Sequence, residues 1–349
     1  MINNPIQTIS AFSSEEEYRA FPAIHYSQLA AYFREDVLGL YKEVVPSDAM
    51  KFGSLVDALC TRYDEMHNIY AVAQSTMPGA SEKALTEQMA AAHWQETLAE
   101  IPRDSIIEDA NIFGYRTSWK DDTRYNKILS ECSEYYRWYK NNSEKILITE
   151  DELLRAKLVY DAIFNHPYIR RALSLCDTDD YGIEYQVKLK TEDGYKCMLD
   201  AVFIDYTTKT LYPIDLKTTS DDECLFPKSI LKWQYWIQAQ LYTDVLNDNL
   251  LEYDLMDWRV SDEFFFVVAN RDNPNPMIYR FDTSAIGRFP YPNYKDIAKE
   301  VKRYLSQPER RTPFGMSRTC SNKVTSELIT AQNPHAFTQW NRKHQIQGL

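Results

Sequence analysis

The sequence predicts an α/β fold of the α+β kind: a mixed central β-sheet flanked by helices, preceded by a helical N-terminal region. Three observations carry this expectation. The hydrophobic period changes from 3.6 to 2 near residue 183. Asp193-Gly194 separates two alternating runs, the signature of a hairpin. A compact apolar run, Phe264 to Ala269, follows a long aromatic helix and reads as a buried strand.

The elements follow in order. Residues 1–148 read as mostly helical. Ser27 starts a helix with Leu29, Tyr32 and Phe33 at helical spacing. Gly53 to about Asp64 carries Leu55, Leu59 and Tyr63 on one stripe. Ser81 to Glu100 is rich in Ala, Glu and Gln without Gly or Pro, which favours helix. Residues 101–148 have weak periodicity and receive no assignment. Thr149-Glu150-Asp151-Glu152 is a capping box that opens a helix running past Ile163, and His166-Pro167 closes it. Ile183 to Leu189 alternates, and Tyr195 to Ile204 is the returning strand. Leu211 to Lys217 is a third strand after a turn at Thr207–Thr210. Ser229 to about Leu246 is one helix bearing Trp233, Tyr235, Trp236 and Tyr242. Glu263–Ala269 and Met277–Phe281 complete the sheet. The expected divisions are a helical part (1–148), a core (149–290) and a basic tail (291–349) whose last 40 residues read as loop-like, all within one compact domain.

Composition excludes several classes. The chain has 349 residues, 44 % hydrophobic and 26 % charged, so wholesale disorder is not expected. Only 9 residues are glycine, and neither G-x-x-x-x-G-K-[ST] nor G-x-G-x-x-G occurs. A nucleotide motor or dinucleotide dehydrogenase is therefore not expected. No run of 18 apolar residues marks a membrane span, and Met1 to Pro5 does not begin a secretory signal. Cys60, Cys132, Cys176, Cys197, Cys224 and Cys320 form no C-x-x-C pair. They read as reduced thiols, with no iron–sulfur cluster.

The net charge of −12 argues against a general polyanion binder. Yet Lys302 to Leu349 holds eight basic residues against Glu309 and Glu327. Such asymmetry hints at nucleic-acid or subunit contact, and a merely solvated basic end explains it equally well.

One constellation carries chemistry. Asp200 lies mid-strand, and Asp215 and Lys217 share one face of the next strand because strand residues i and i+2 point the same way. If these strands pair, Asp200 lies beside Asp215. Two carboxylates and a lysine suit a hard divalent cation and a phosphate. A structural Asp215–Lys217 ion pair is the plainer alternative. Gln238 and Tyr242 share one helix face at i, i+4. Asp57 follows Gly53 by four residues, with a solvent-facing acid as its plainer reading.

Taken together, His25-Tyr26-Ser27-Gln28-Leu29, Phe52-Gly53-Ser54-Leu55-Val56-Asp57, Glu184, Asp200, Asp215-Leu216-Lys217-Thr218-Thr219, Phe226 and Gln238–Tyr242 resemble the PD-(D/E)xK nuclease superfamily. The similarity is greatest to the branch of RecE (exonuclease VIII), RecB-type nuclease domains and lambda exonuclease. It spans residues 20–285, most tightly 149–246. Two positions depart from the pattern: Asp57 stands where relatives carry a metal-binding His, and Leu199 where the "PD" proline stands. The resemblance implies a restriction-endonuclease-like core and a Mg²⁺-dependent DNA exonuclease, with Mn²⁺ as a substitute. It implies digestion of duplex ends 5′ to 3′, exposing 3′ strands for recombination in a bacterial or phage-infected cytoplasm. Asp57, Asp200 and Asp215 are then metal ligands. Lys217 acts on the water or the transition state, with Glu184 as a further catalytic acid. Gln238, Tyr242 and Thr218 contact DNA or orient the site. A homo-oligomeric ring and a single-strand annealing partner are also implied. Lys188, Lys190, Lys196, Lys228 and Lys232 are candidate DNA-facing lysines. Two alternatives stay open: another nuclease of the superfamily, single-strand or structure-specific, and a non-catalytic DNA-binding protein on the same fold.

Overall fold

A computed structural model describes residues 4–42, 45–72, 78–285 and 292–306. The chain forms two compact units. Arg62–Arg155 is one; Met1–Thr61 together with Ala156–Leu349 is the other. The first helical stretch, with Asp57, therefore belongs with the sheet.

In the smaller unit, short strands β1 (Tyr70–Val72) and β2 (Ile146–Ile148) pair in parallel. Its core is helical. Ala80–Ala92, Arg103–Ile112 and Asp121–Asn142 bury Leu85, Met89, Ile106, Ile128, Cys132 and Tyr136 together. The Ala80–Ala92 helix stops well before Glu100, because His93 turns extended. The two later helices lie in the stretch that sequence periodicity left unassigned.

The larger unit is built on a mixed sheet, as the change of period predicts. Its strands are β3 (Tyr181–Lys190), β4 (Lys196–Asp205), β5 (Thr210–Thr219), β6 (Arg259–Val260), β7 (Glu263–Asn270) and β8 (Met277–Asp282). The order is β3-β4-β5-β7-β8, and β6 also pairs with β5. β3, β4 and β5 form an antiparallel meander. β5 and β7 run parallel, and β8 returns antiparallel to β7. The hairpin between β3 and β4 turns at Gly194, whose φ of +80° suits glycine.

Helices supply the crossover from β5 to β7. The expected single helix is two, Phe226–Trp233 and Tyr235–Glu252. They break at Gln234, which is left-handed at φ 57°. Its own side chain stabilises the break: Nε2 donates to the Leu231 and Lys232 carbonyls at 2.7 and 3.0 Å. Such a device leaves no Gly or Pro signal. The second helix is largely buried from Trp236 to Leu250, polar residues such as Gln238, Gln240 and Asn249 included, and only its last residues, Leu251 and Glu252, are exposed. Trp236, Ile237, Leu241, Val245 and Leu246 join Leu199, Val202, Phe264 and Phe266 of the sheet in one core. Leu29 and Tyr32 of the Tyr26–Glu35 helix enter the same core, as do Ile297, Ala298 and Val301 of the Tyr294–Leu305 helix. Residues 294–305, the start of the expected basic tail, thus form a packed helix. The rest of the basic tail, with Arg310 to Lys343 and Cys320, lies outside the described residues.

The capping box at Thr149 forms as expected. Glu152 accepts from the Thr149 N–H and hydroxyl at 2.7 and 2.9 Å. The helix ends at Asn165, and Pro167 at once starts another, Pro167–Leu175. Among the described residues no helix is long and apolar enough to cross a membrane.

Lys196, expected among the DNA-facing lysines, is buried instead. Its ammonium donates to the carbonyls of Tyr18, Phe21 and Arg19 at 2.7, 2.7 and 3.3 Å. It thereby satisfies orphan carbonyls at the end of the Glu15–Ala20 helix. Nearby, burial and then Lys196 and Arg19 lower the His25 pKa from 6.5 to about 4. Folded His25 therefore binds fewer protons than the unfolded chain within that window. Its contribution is intact above pH 6.5 and is lost as pH falls towards 4. Urea unfolding should show wild type losing roughly 2 kcal/mol more than His25→Gln between about pH 7.5 and pH 4.5. Equal losses would refute the assignment.

Candidate functional site

The site is set by the meander. The β4–β5 ladder ends at Ala201–Ile214, and one further step of that register places Asp200 opposite Asp215. There the Asp200 carboxylate caps the ladder, accepting the Leu216 N–H at 2.7 Å. Asp215 is only 2 % exposed and Lys217 18 %, and their side chains are directly hydrogen-bonded. The helix that crosses the sheet brings Gln238, in its first turns, to donate to the other Asp215 oxygen. The positive end of that helix also favours a carboxylate there. Tyr235 lies under the lysine, its ring centroid 4.9 Å from Nζ.

Asp57 arrives on the Asp48–Thr61 helix, which begins before Gly53 and stops at Thr61. Gly53 permits the approach. A Cβ there would lie 3.1 Å from the Thr218 hydroxyl of β5. Thr218 therefore meets the helix that bears Asp57. Asp57 lies one turn beyond Gly53, so the spacing sets the carboxylate against the sheet. Gly53→Val is expected to push this helix off β5 and cut site function about tenfold or more, since ~1 Å of misplacement can cost 10²-fold. Metal affinity of Gly53→Val and Gly53→Ala would check this; the smaller side chain should be tolerated far better.

The electrostatics are unusual. Burial, then Asp215 and Asp57, push the Asp200 pKa well above the carboxylate range, against Lys217 and the Leu216 N–H. Burial also raises Asp215, opposed by Lys217 and Gln238. Burial disfavours the Lys217 ammonium, but Asp215, Tyr235 and Asp200 outweigh it and push its pKa up. Three carboxylates thus face one ammonium in a poorly solvated place. Cys60 is close by; burial, then Asp57 and Asp200, keep its thiol protonated. The donor set is therefore oxygen, which suits Mg²⁺ or Mn²⁺ and not a thiolate-bound metal.

Among the described residues, no three His, Cys, Asp or Glu side chains form a ready-made metal cage. This agrees with Asp215 being engaged by Lys217 and Gln238. Mg²⁺ needs only one or two carboxylates, with waters and phosphate oxygens completing its shell. The residues present fit such an ion, and the excess of negative charge favours one.

Two expected members sit elsewhere. Glu184 does not join the group. Its carboxylate accepts from the side-chain amides of Asn4 and Gln7, which hold it to the N-terminal Pro5–Ile9 helix. Tyr242 is 8 % exposed and lies in the core against Phe264, beneath the carboxylates and not on the surface.

Sequence reasoning missed Gln186. It falls opposite Asp200 in the β3–β4 register, between the pairs Tyr185–Ala201 and Val187–Leu199. Its Nε2 donates to both Asp57 oxygens at 3.2 and 3.3 Å and to the Thr61 hydroxyl at 3.0 Å. Tyr235, too, shows in the sequence only as part of an aromatic helix. The available signal was its place three residues before Gln238, on the same face.

No protein-family model matches the chain, and no curated protein matches it.

Proposed function

We propose that this protein is a metal-dependent deoxyribonuclease of the PD-(D/E)xK kind, acting as an exonuclease on duplex DNA ends. The observation that carries this reading is the group of Asp200, Asp215, Lys217 and Asp57, three carboxylates to one ammonium, with Asp215 buried and the other three half-buried, set on a meander-crossover frame. Asp200 and Asp215 would hold Mg²⁺ or Mn²⁺, with Asp57 as a third ligand. When bound, the ion lowers the pKa of a water and offsets charge growing on the phosphate. The chain's own residues do the rest. Gln238 fixes the orientation of Asp215. Lys217, charged and held between Asp215 and the Tyr235 ring, donates to the attacking water or a phosphate oxygen. Glu184, Tyr242 and Thr218 support the scaffold and take no direct part.

A net charge of −12 does not prevent DNA binding if cations gather near the site. Trp233 is 44 % exposed, with the Lys232 ammonium 4.9 Å and the Arg34 guanidinium 5.9 Å from its ring. Its carbonyl accepts from the Tyr26 hydroxyl at 2.7 Å, and the Tyr26 ring packs on Tyr235. A basic, aromatic edge thus borders the catalytic group, suited to stacking a base and meeting a phosphate. The ring-shaped oligomer and the annealing partner belong to the same proposal. The test is cleavage of end-labelled linear duplex and of closed circular DNA, with Mg²⁺ and with EDTA. Mg²⁺-dependent loss of linear DNA alone supports the exonuclease, and the label gives its polarity. Cutting of circles would replace it with an endonuclease. Binding without cleavage would favour a non-catalytic DNA-binding protein.

A further inference from the structure

We infer that Gln186 is a direct oxygen ligand of the cation at Asp57, Asp200 and Asp215, and that it also positions Asp57. This rests on the metal-site reading above.

Three independent features meet in this one residue. Its backbone is left-handed, φ 53°, in the middle of a ten-residue strand. Glutamine has no intrinsic preference for that region, and such strain persists only where the surroundings impose it. Next, its amide orientation is chemically determined. An ionised carboxylate only accepts, so the group facing Asp57 is the NH₂. The carbonyl Oε1 is thereby turned away from Asp57.

Finally, Oε1 has no partner. Gln186 is 7 % exposed, and its carbonyl oxygen is buried without a hydrogen bond among the described residues. A buried acceptor left unpaired is costly. Asp57 lies on one side and Asp200 across the strand pair, while the Lys188 ammonium is taken up by the Gln186 backbone carbonyl at 3.1 Å. A cation held by the neighbouring carboxylates would satisfy this oxygen. A side-chain carbonyl is an ordinary hard-oxygen ligand for such ions. Being neutral, it completes a coordination shell without adding a fourth negative charge to the group. Gln238 also has an unpartnered Oε1, but it sits on an unstrained helix and its amide serves Asp215.

The experiment is Mn²⁺ titration of the metal-free full chain without DNA, followed by calorimetry. Mn²⁺ spin-resonance broadening by ¹⁷O-water counts the waters on the bound ion. The variants are Gln186→Met, which keeps length and packing but removes the oxygen, and Thr61→Val, which removes a hydroxyl that supports Asp57 and the Gln186 amide but leaves the Gln186 oxygen in place. Gln186→Met should weaken Mn²⁺ binding about tenfold or more, the usual scale for losing a ligand or its support. It should also add one water to the ion. Thr61→Val should add none. Unchanged affinity in Gln186→Met overturns the inference alone. Weaker binding with no added water overturns direct ligation and leaves only the positioning of Asp57. Absence of Mn²⁺ binding by wild type overturns the inference together with the metal-site reading.

Discussion

Asp200→Asn is expected to abolish DNA cleavage and, at the same time, to raise the melting temperature of the metal-free protein near about pH 8. Burial and the neighbouring Asp215 and Asp57 raise the folded-state pKa of Asp200 above its unfolded value of 3.8. The folded protein therefore holds this proton more tightly than the unfolded chain. The stability so gained is present below the unfolded pKa and is lost as pH rises through the folded one. Asparagine resembles the protonated carboxyl and still accepts the Leu216 N–H, so it escapes that loss. Its advantage should vanish near pH 3.8 and grow as pH rises. Added Mg²⁺ should reverse the order, stabilising wild type and not the variant, because on the proposed reading a ligand of the native state is lost in the variant. Cleavage should fall about 10³-fold or more, as several kcal/mol of metal assistance are lost. Differential scanning calorimetry at two pH values, with and without Mg²⁺, checks the stability half. An Asp200→Asn protein less stable than wild type at alkaline pH would refute this account of the site.

Trp236→Ala should produce the largest loss of stability. Trp236 is 2 % exposed and packs edge-on against Phe33 at 5.4 Å, in the core shared by helix and sheet. Removing a buried Trp costs about 3–5 kcal/mol through lost burial and the cavity left behind. The melting temperature should fall by about 10 °C. The same change disturbs Tyr235 and Gln238, which flank the carboxylates, so metal affinity should drop with it. Trp233→Ala, three residues earlier and exposed, should shift stability by no more than about 0.5 kcal/mol. A comparable loss in the two variants would show that the helical break at Gln234 does not separate core from surface.

Much of the site was legible in the sequence because strand geometry is simple. Alternation put Asp215 and Lys217 on one face, and the hairpin signal joined β3 to β4. The Asp200–Asp215 juxtaposition then needed only that β4 and β5 pair, and they do. Gly53 and Asp57 were legible as a spacing, but their reason was not: close approach to Thr218 is a tertiary fact. Gln186 and Gln234 were not legible. Both adopt left-handed backbone without being glycine, and what stabilises each is hydrogen bonding that propensity does not encode. Glu184 misled because a polar strand residue looks alike whether it faces a cation or the amides of an N-terminal helix. The Tyr294–Leu305 helix could have been found. Tyr294, Ile297, Ala298 and Val301 recur at i, i+3, i+4 and i+7, a stripe hidden when the segment is read by charge alone.

The central claim is that the carboxylates of Asp57, Asp200 and Asp215 form a cation site. A crystal of the protein grown with Mn²⁺ tests this most directly, through anomalous scattering from the metal. The account predicts a single strong peak in contact with Asp200 and Asp215 and within reach of Asp57. A map with no peak there, or with Mn²⁺ bound only at surface acids, would contradict it.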